Sequence, residues 1–393
     1  MKKKNFLKFI KQVKDNFHLN IVSFDVPYPP NYGGVIDIYY KIKALHRQGV
    51  KVHLHCFEYG RKPQKSLEEI CESVNYYKRK TEKSLLFGAL PYIVLSRVSE
   101  QMKKNLLSND YPVLMEGIHS TYYLNDDALA ERKTIVRTHN IEHLYYESLA
   151  RIESNIFKRY YFYNEAAKLK RYHVLRKAGM IAAISKNDAD YFSKKFINVK
   201  YIPPFHQFEN VEIENGRGDF ALYHGNLSVG ENNEAALFLL NNVFNDLKIP
   251  FIIAGSHPSN ELIKAVKNFK HIQLKSNAAP AEINLLIRTA HINVLPTFQA
   301  TGIKLKLLSA LFLGRHCIVN SPMVNHTGLE SLCTTADSAE EMKAKIQALF
   351  ETPFSQSEIE ERKKILLEEF SNEKNARKLI AEIFTQPAFH SRI

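Results

Sequence analysis

The feature that most restricts the fold is a β-α alternation that runs along this 393-residue chain twice and is interrupted once. Short apolar runs at residues 19–24, 51–57, 113–115, 134–136 and 180–184 have the length of buried strands. Stretches with helical spacing, such as Ile38, Ile42 and Leu45, lie between them. At Pro203-Pro204 the pattern stops, and residues 209–218 are polar without period, as in a linker. The alternation then resumes with runs at 220–224, 251–254, 271–274, 292–295 and 317–319. Strands alternating with helices cover both faces of a parallel sheet, so the expectation is an α/β chain of two doubly wound domains facing a cleft. The expected segments are a basic amphipathic leader helix at 1–18, a first domain at 19–204, a linker at 205–219, a second domain at 220–372 and a tail at 373–393.

Charge narrows the partners. A formal net charge of +13 suits nucleic acid, an anionic membrane surface or a phosphorylated substrate. Phe6, Ile10, Val13 and Phe17 recur at helical spacing, with Lys2, Lys3, Lys4, Lys8, Lys11 and Lys14 around them. Such a helix can lie on acidic headgroups, each nearby lysine contributing roughly 1 kcal/mol, or pack as a solvated leader on the first domain. Residues 144–177 read as one long basic helix whose charges, Lys158, Arg159, Lys168, Lys170, Arg171, Arg176 and Lys177, form a solvated face. No nucleic-acid recognition motif accompanies these charges, so nucleic acid is not expected as a partner. Cys56, Cys71, Cys317 and Cys333 show neither metal-ligand spacing nor a disulfide framework. With no secretory signal and no run of membrane-spanning length, the expected location is cytoplasmic, peripheral on the inner face of the membrane if the leader binds lipid.

Loops that follow the strands are where an open α/β sheet collects ligands. Thr301, Gly302, Lys304 and Lys306 follow the strand at 292–295 and open a helix, whose N–H groups and dipole suit a diphosphate. On helical geometry Lys304 and Lys306 project about 200° apart, so one of them faces a ligand, and Lys304, nearer the helix start, is the first choice. Gly225 and Asn226 end the first strand of the second domain and can approach the same group. In the first domain, Gly33 and Gly34 open a helix after the first strand, where glycine permits close backbone approach. Gly-x-Gly-x-x-Gly is absent. His139, directly after a strand, can position a substrate hydroxyl or move a proton. His119 is a second candidate on the acceptor side, or else a loop histidine with local partners. A metal reading of His139 and His143 lacks a third ligand, and Asp188-Ala189-Asp190 lies in a helix with Ser185 as its N-cap, so no metal site is expected.

Four segments carry a family resemblance. They are Pro27-Tyr28-Pro29-Pro30-Asn31-Tyr32-Gly33-Gly34, Arg137-Thr138-His139-Asn140-Ile141-Glu142-His143, Gly225-Asn226-Leu227 and Thr301-Gly302-Ile303-Lys304-Leu305-Lys306-Leu307-Leu308. Together they resemble the glycosyltransferase family 4 group, two-domain enzymes of the GT-B fold, over nearly the whole chain after the leader. The resemblance implies two Rossmann-like domains, an acceptor domain at 19–204 and a nucleotide-sugar donor domain at 220–372. It implies transfer with retention of anomeric configuration to a glycan or lipid-linked acceptor, for cell-surface polysaccharide or glycolipid. It also implies His139 at the reaction centre, Gly33 and Gly34 near donor phosphates and acceptor, and Lys304 or Lys306 on the leaving diphosphate. The donor is a co-substrate, and neither cofactor nor metal is expected. The chain departs from the pattern where the family carries two glutamates, since Thr301 and Ser309 stand there, and Asn226 replaces a common arginine. An active transferase and a non-catalytic GT-B partner of an active transferase both remain open.

Overall fold

The strands form two sheets, both wholly parallel, in a computed structural model that describes residues 17–298 and 305–384. The first sheet contains β1 (His18–Ser23), β2 (Lys51–Glu58), β3 (Ser73–Lys78), β4 (Val113–Glu116), β5 (Thr134–Thr138), β6 (Met180–Ala183) and β7 (Val199–Tyr201), in spatial order β3-β2-β1-β4-β5-β6-β7. The second contains β8 (Ala221–Asn226), β9 (Phe251–Ser256), β10 (Ile272–Ser276), β11 (Ile292–Leu295), β12 (His316–Val319) and β13 (Thr334–Thr335), in order β10-β9-β8-β11-β12-β13. Each sheet grows in one direction for three strands and then reverses. That reversal is a switch point, between β1 and β4 in one sheet and β8 and β11 in the other, where neighbouring loops diverge and leave room for a ligand.

Period-2 alternation sorts side chains between the two faces of the first sheet. Leu19, Ile21 and Leu54 join Ile38, Ile42 and Leu45 of the Gly33–Arg47 helix in one core. Val22, Val113, Met115, Val136 and Ile181 join Leu169 and Phe192 in the other. Each such side chain contributes roughly 1.5–3 kcal/mol by leaving water.

The chain does not divide at a single linker. The described residues up to Glu147, Tyr161–Gln207 and the described residues from Ser371 form one compact unit, and Ser148–Tyr160 with Phe208–Phe370 form the other. The Asn372–Phe384 helix packs against the first unit, where Leu379, Ile380 and Ile383 are buried and the Phe384 ring stacks on Phe17 at 4.5 Å. The expected tail thus contains a core helix up to Phe384. Residues 1–16 of the expected leader lie outside the described residues. Among the described residues, no helix is long and apolar enough to cross a membrane.

The single long basic helix expected at 144–177 is instead three pieces, Glu142–Ile152, Ile156–Arg171 and a 3₁₀ turn at His173–Lys177. Asn155 causes the first break: its Oδ1 accepts from the backbone N–H groups of Phe157 (3.0 Å) and Lys158 (3.1 Å), which starts a new helix. Lys168 is not solvated either. It is 6% exposed, pairs with Glu165 at 2.9 Å and donates to the Leu86 carbonyl at 2.7 Å.

Candidate functional site

In the first unit the switch-point loops bring together residues far apart in sequence. Asp37 and Lys41, one turn apart on the Gly33–Arg47 helix, are fully buried and paired at 2.8 Å. The Lys41 ammonium also lies 2.8 Å from Glu116 Oε1 at the end of β4. Arg137 of β5, in register with Glu116, sets its guanidinium against both Asp37 oxygens at 2.8 and 3.1 Å. Asp37 further accepts the Phe205 N–H at 2.8 Å, while Arg137 donates to the Ile202 and Pro203 carbonyls. Burial alone would raise the Asp37 pKa, but Arg137 and Lys41 together hold its carboxyl below the usual carboxylate range. Two carboxylates and two cations thus form an internally neutral network in the core.

His139 sits at the edge of that network. Its Nε2 lies 3.1 Å from Glu116 Oε2, so in the neutral ring Nε2–H donates there and Nδ1 is left as acceptor. The Phe24 ring, first in the loop after β1, meets His139 edge-on at 5.6 Å and His119 at 5.0 Å. His119 Nδ1 is buried with no hydrogen-bond partner. Burial first, then the charges of Arg97, His139 and Arg79, push the His119 pKa well down, so this imidazole is neutral at physiological pH. Gly117, at φ +67°, gives the close turn between β4 and His119.

The two glycines differ in their surroundings. Neither Gly33 nor Gly34 uses positive φ. At Gly34 an added Cβ would lie 2.5 Å from Phe24 Cζ, so glycine is required by the aromatic ring that also holds the two histidines. At Gly33 nothing lies within 4 Å of such a Cβ. No side chain caps this helix, whose N-cap is Tyr32, so its first N–H groups face the loop.

In the second unit the corresponding crevice lies at the ends of β8 and β11. Three residues separate β8 from the Gly230–Phe238 helix, whose N-terminus therefore sits at the strand end without a side-chain cap. Asn232 in its first turn donates to the Asn226 carbonyl at 2.9 Å and accepts the Lys306 ammonium at 2.8 Å. Lys306, from the Leu305–Leu313 helix after β11, also reaches Tyr223 Oη at 3.3 Å. Gly225 runs beside Gly255 of β9, where a Cβ would collide with the Gly225 carbonyl oxygen at 1.9 Å. Burial and then Lys306 push the His224 pKa down to about 3. The outcome is a lysine, a helix N-terminus and a glycine strand end meeting in one crevice, which suits an anion.

Comparison with known proteins gives the chain's relatives. Residues 219–352 match the family model described as "Glycosyl transferases group 1". An uncharacterized 44.6 kDa protein in the cps region of Klebsiella pneumoniae is 30% identical over 312 residues, covering 74% of this chain and 79% of that protein. Residues 219–352 are a group 1 glycosyltransferase domain, and the chain is a relative of that cps-region protein. Solved structures share its fold, three of them as follows. TarM aligns with a TM-score of 0.67 at 10% identity, over 94% of this chain and 99% of that chain. A glycosyltransferase from Rickettsia africae aligns at 0.60 and 15% identity, over 94% and 100%. Anabaena HepE, solved with UDP and glucose, aligns at 0.59 and 10% identity, over 94% and 96%. This glycosyltransferase therefore has the GT-B fold, two Rossmann-like α/β domains.

Against the sequence reading, the structure groups His139 and His119 around Phe24 with Gly34, and Gly225 with Lys306 through Asn232. Thr301, Gly302 and Lys304 lie outside the described residues. Asn226 is exposed, and its Oδ1 accepts from the Ser228 backbone N–H (3.1 Å) and the Ser256 hydroxyl (3.0 Å), contacts that shape the loop. Ser309 donates to the Leu305 carbonyl at 3.1 Å and stays within its own helix. Ser185 caps the Lys186–Ser193 helix, with the Asp188 N–H at 3.0 Å, which leaves Asp188 and Asp190 on a regular helix. Asp37, Glu116 and His139 bring ligand atoms within 4.8 Å of one another. Lys41 and Arg137 already balance those two carboxylates, so the group is an ion-pair network in this glycosyltransferase. Sequence reasoning missed Asp37, Lys41, Glu116, Asn232 and Gly255. Gly255 and Glu116 each had a local signal, directly following the apolar runs 251–254 and 113–115.

Proposed function

We propose that the chain transfers a sugar, with retention of anomeric configuration, from a nucleotide-sugar donor to a glycan or lipid-linked acceptor at the cytoplasmic face of a membrane. In this reading Lys306, Gly225 and the N-terminus of the Gly230–Phe238 helix hold the leaving diphosphate, and the sequence assigns Lys304, Thr301 and Gly302 to the same group. Positive charge and aligned N–H groups stabilise the negative charge that builds on the diphosphate as the sugar–oxygen bond breaks. His139, oriented by Glu116, lines the reaction centre with His119, and Gly33 and Gly34 bring backbone N–H groups to it. The donor is a co-substrate, and the reading includes no resident cofactor.

The observation that supports this most is the convergence of Lys306 on Asn232 and Tyr223 beside Gly225, at the switch point of the second sheet. The cps-region relative supports cell-surface polysaccharide as the product class. Lys2, Lys3, Lys4, Lys8, Lys11 and Lys14 support a membrane surface. The test is turnover of a panel of nucleotide sugars with lipid-linked and free glycan acceptors, with the product anomer read by NMR. Transfer with retention is expected. Inverted product would remove the retaining mechanism, and failure to bind any donor would remove the transferase.

The absence of a carboxylate at Ser309 favours a second reading, a non-catalytic GT-B partner of an active transferase. Donor binding without turnover, together with co-purification with an active transferase, is its signature.

A further inference from the structure

Arg79 and Arg97 lie side by side in the first unit with no carboxylate between them. Arg79 Nε and Arg97 Nη1 approach the same acceptor, Ser96 Oγ, at 3.1 and 3.3 Å. Ser96 is fully buried, and its hydroxyl is the hinge of two like charges. Arg97, 5% exposed, donates its other hydrogen bonds to backbone carbonyls, Nε to Phe24 at 2.8 Å and Nη1 to Ile93 at 2.7 Å. Among the described residues nothing accepts from its Nη2. Arg79 is sandwiched by rings, its guanidinium carbon 4.0 Å from the Tyr59 centroid and 5.5 Å from that of Tyr92. Stacking of this kind fixes a guanidinium plane while leaving its edge to bind.

The charges of Asp25 and Glu142 reach Arg97, but the Asp25 oxygens are engaged by other donors. Asp25 accepts from the Tyr32 hydroxyl at 2.7 Å and the Val26 N–H at 2.8 Å, and faces Arg61 Nε at 3.6 Å. Burial, then the neighbouring Arg79, pushes the Arg97 pKa down to about 9. Two guanidiniums held this close repel each other, and an anion between their edges would relieve that repulsion through charge-assisted, bidentate hydrogen bonds. The location is specific too. Arg97 grips the carbonyl of Phe24, whose ring carries His119 and His139, and the buried His119 Nδ1 has no protein partner.

We propose that Arg79 and Arg97, with His119, form a subsite for an anionic group, a phosphate or a carboxylate, carried by the acceptor beside the sugar position that is glycosylated. Its assignment to the acceptor rests on the transferase reading; the binding of an anion does not. The subsite would make an acidic acceptor, a lipid-linked sugar phosphate or a uronate-bearing glycan, better than a neutral one of the same sugar sequence.

The experiment is calorimetric titration of the full chain with inorganic phosphate, comparing wild type, Arg79→Gln, Arg79→Lys and Lys306→Ala. Arg79 is half-buried on the surface of its unit, so its replacement leaves the core intact, whereas Arg97 is too deeply buried for a safe test. Arg79→Gln is expected to weaken phosphate binding at least about 10-fold, Arg79→Lys less, and Lys306→Ala to leave this binding in place. Equal phosphate affinity in wild type and Arg79→Gln, or loss of all phosphate binding in Lys306→Ala, overturns the subsite whether or not the chain transfers sugar. Parallel titrations with a short-chain alkyl phosphate and a methyl glucuronide identify the source. Preference for the phosphate ester that Arg79→Gln abolishes assigns a lipid-linked phosphate, and preference for the glucuronide assigns an acidic glycan. Weaker binding of both than of a neutral methyl glycoside overturns the proposal.

Discussion

The two switch points solve opposite problems. In the first unit, Asp37, Lys41, Glu116 and Arg137 neutralise one another in the core, and His139 borrows its orientation from that network. In the second, Lys306 rests on an amide oxygen and a phenol oxygen beside a helix N-terminus. Charge in the first unit holds geometry, because a buried ion that loses its partner has no water to replace it. Charge in the second rests on neutral oxygens at a strand end, where in the proposed reading a ligand anion competes for it. Substitutions in the buried ion network of the first site should therefore register chiefly as lost folding stability, and those in the second chiefly as lost affinity.

The largest expected effect is that of Asp37→Ala, which leaves Lys41 and Arg137 buried without their shared carboxylate. Urea unfolding should show a loss of about 3–5 kcal/mol. If Asp37→Ala unfolds at the wild-type midpoint, the contrast between the units collapses. Next, His139→Ala should lower kcat about 100-fold while donor affinity changes little, the range typical of one positioned imidazole. A fall in donor affinity with unchanged kcat would move His139 from the reaction centre to donor binding.

Lys306→Ala should weaken binding of the donor nucleotide about 10- to 100-fold, from roughly 1.5–3 kcal/mol for a charged hydrogen bond. Its cost in unfolding should be far smaller than that of Asp37→Ala. Equal stability losses in the two variants would show that Lys306 is a structural cation like Lys41.

A gentler probe of the first unit is pH. Burial, then the nearby Asp188, raises the pKa of Glu142 to about 8. The native state holds this proton while the unfolded chain, with an ordinary carboxyl, releases it. Between about pH 4.5 and 8 the unfolded state binds fewer protons, so this group's contribution to stability falls as pH rises, by about 1.4 kcal/mol per unit, and levels off above pH 8. Glu142→Gln should flatten that slope, most visibly as higher stability than wild type at pH 8. An unchanged slope would mean that Glu142 is ionised in the folded state.

Much of the architecture was legible from local pattern, because strand and helix periodicity depend on neighbours in sequence. The ten apolar runs all fall on strands, and the loops after β1, β4, β5, β8 and β11 were correctly located at strand ends. The helix break at Asn155 was missed because a capping asparagine carries no mark that separates it from any surface asparagine. The tail was misjudged for a related reason. Its apolar stripe, Leu379, Ile380 and Ile383, says that it packs, and only the tertiary structure says on which unit.

The sequence by itself determined the α/β class, the doubling of the sheet and the loops at its strand tips. What required the folded chain was the company each loop residue keeps. Arg137 finds Asp37 across 100 positions, Lys41 finds Glu116 across 75 and Lys306 finds Asn232 across 74. Such pairings follow from strand order and register across a sheet, and neither is encoded in the spacing of apolar residues along any one segment. A glycine or histidine can be recognised at a strand end, but whether it meets a ring, a carboxylate or an open crevice is settled by which strands the sheet sets beside it.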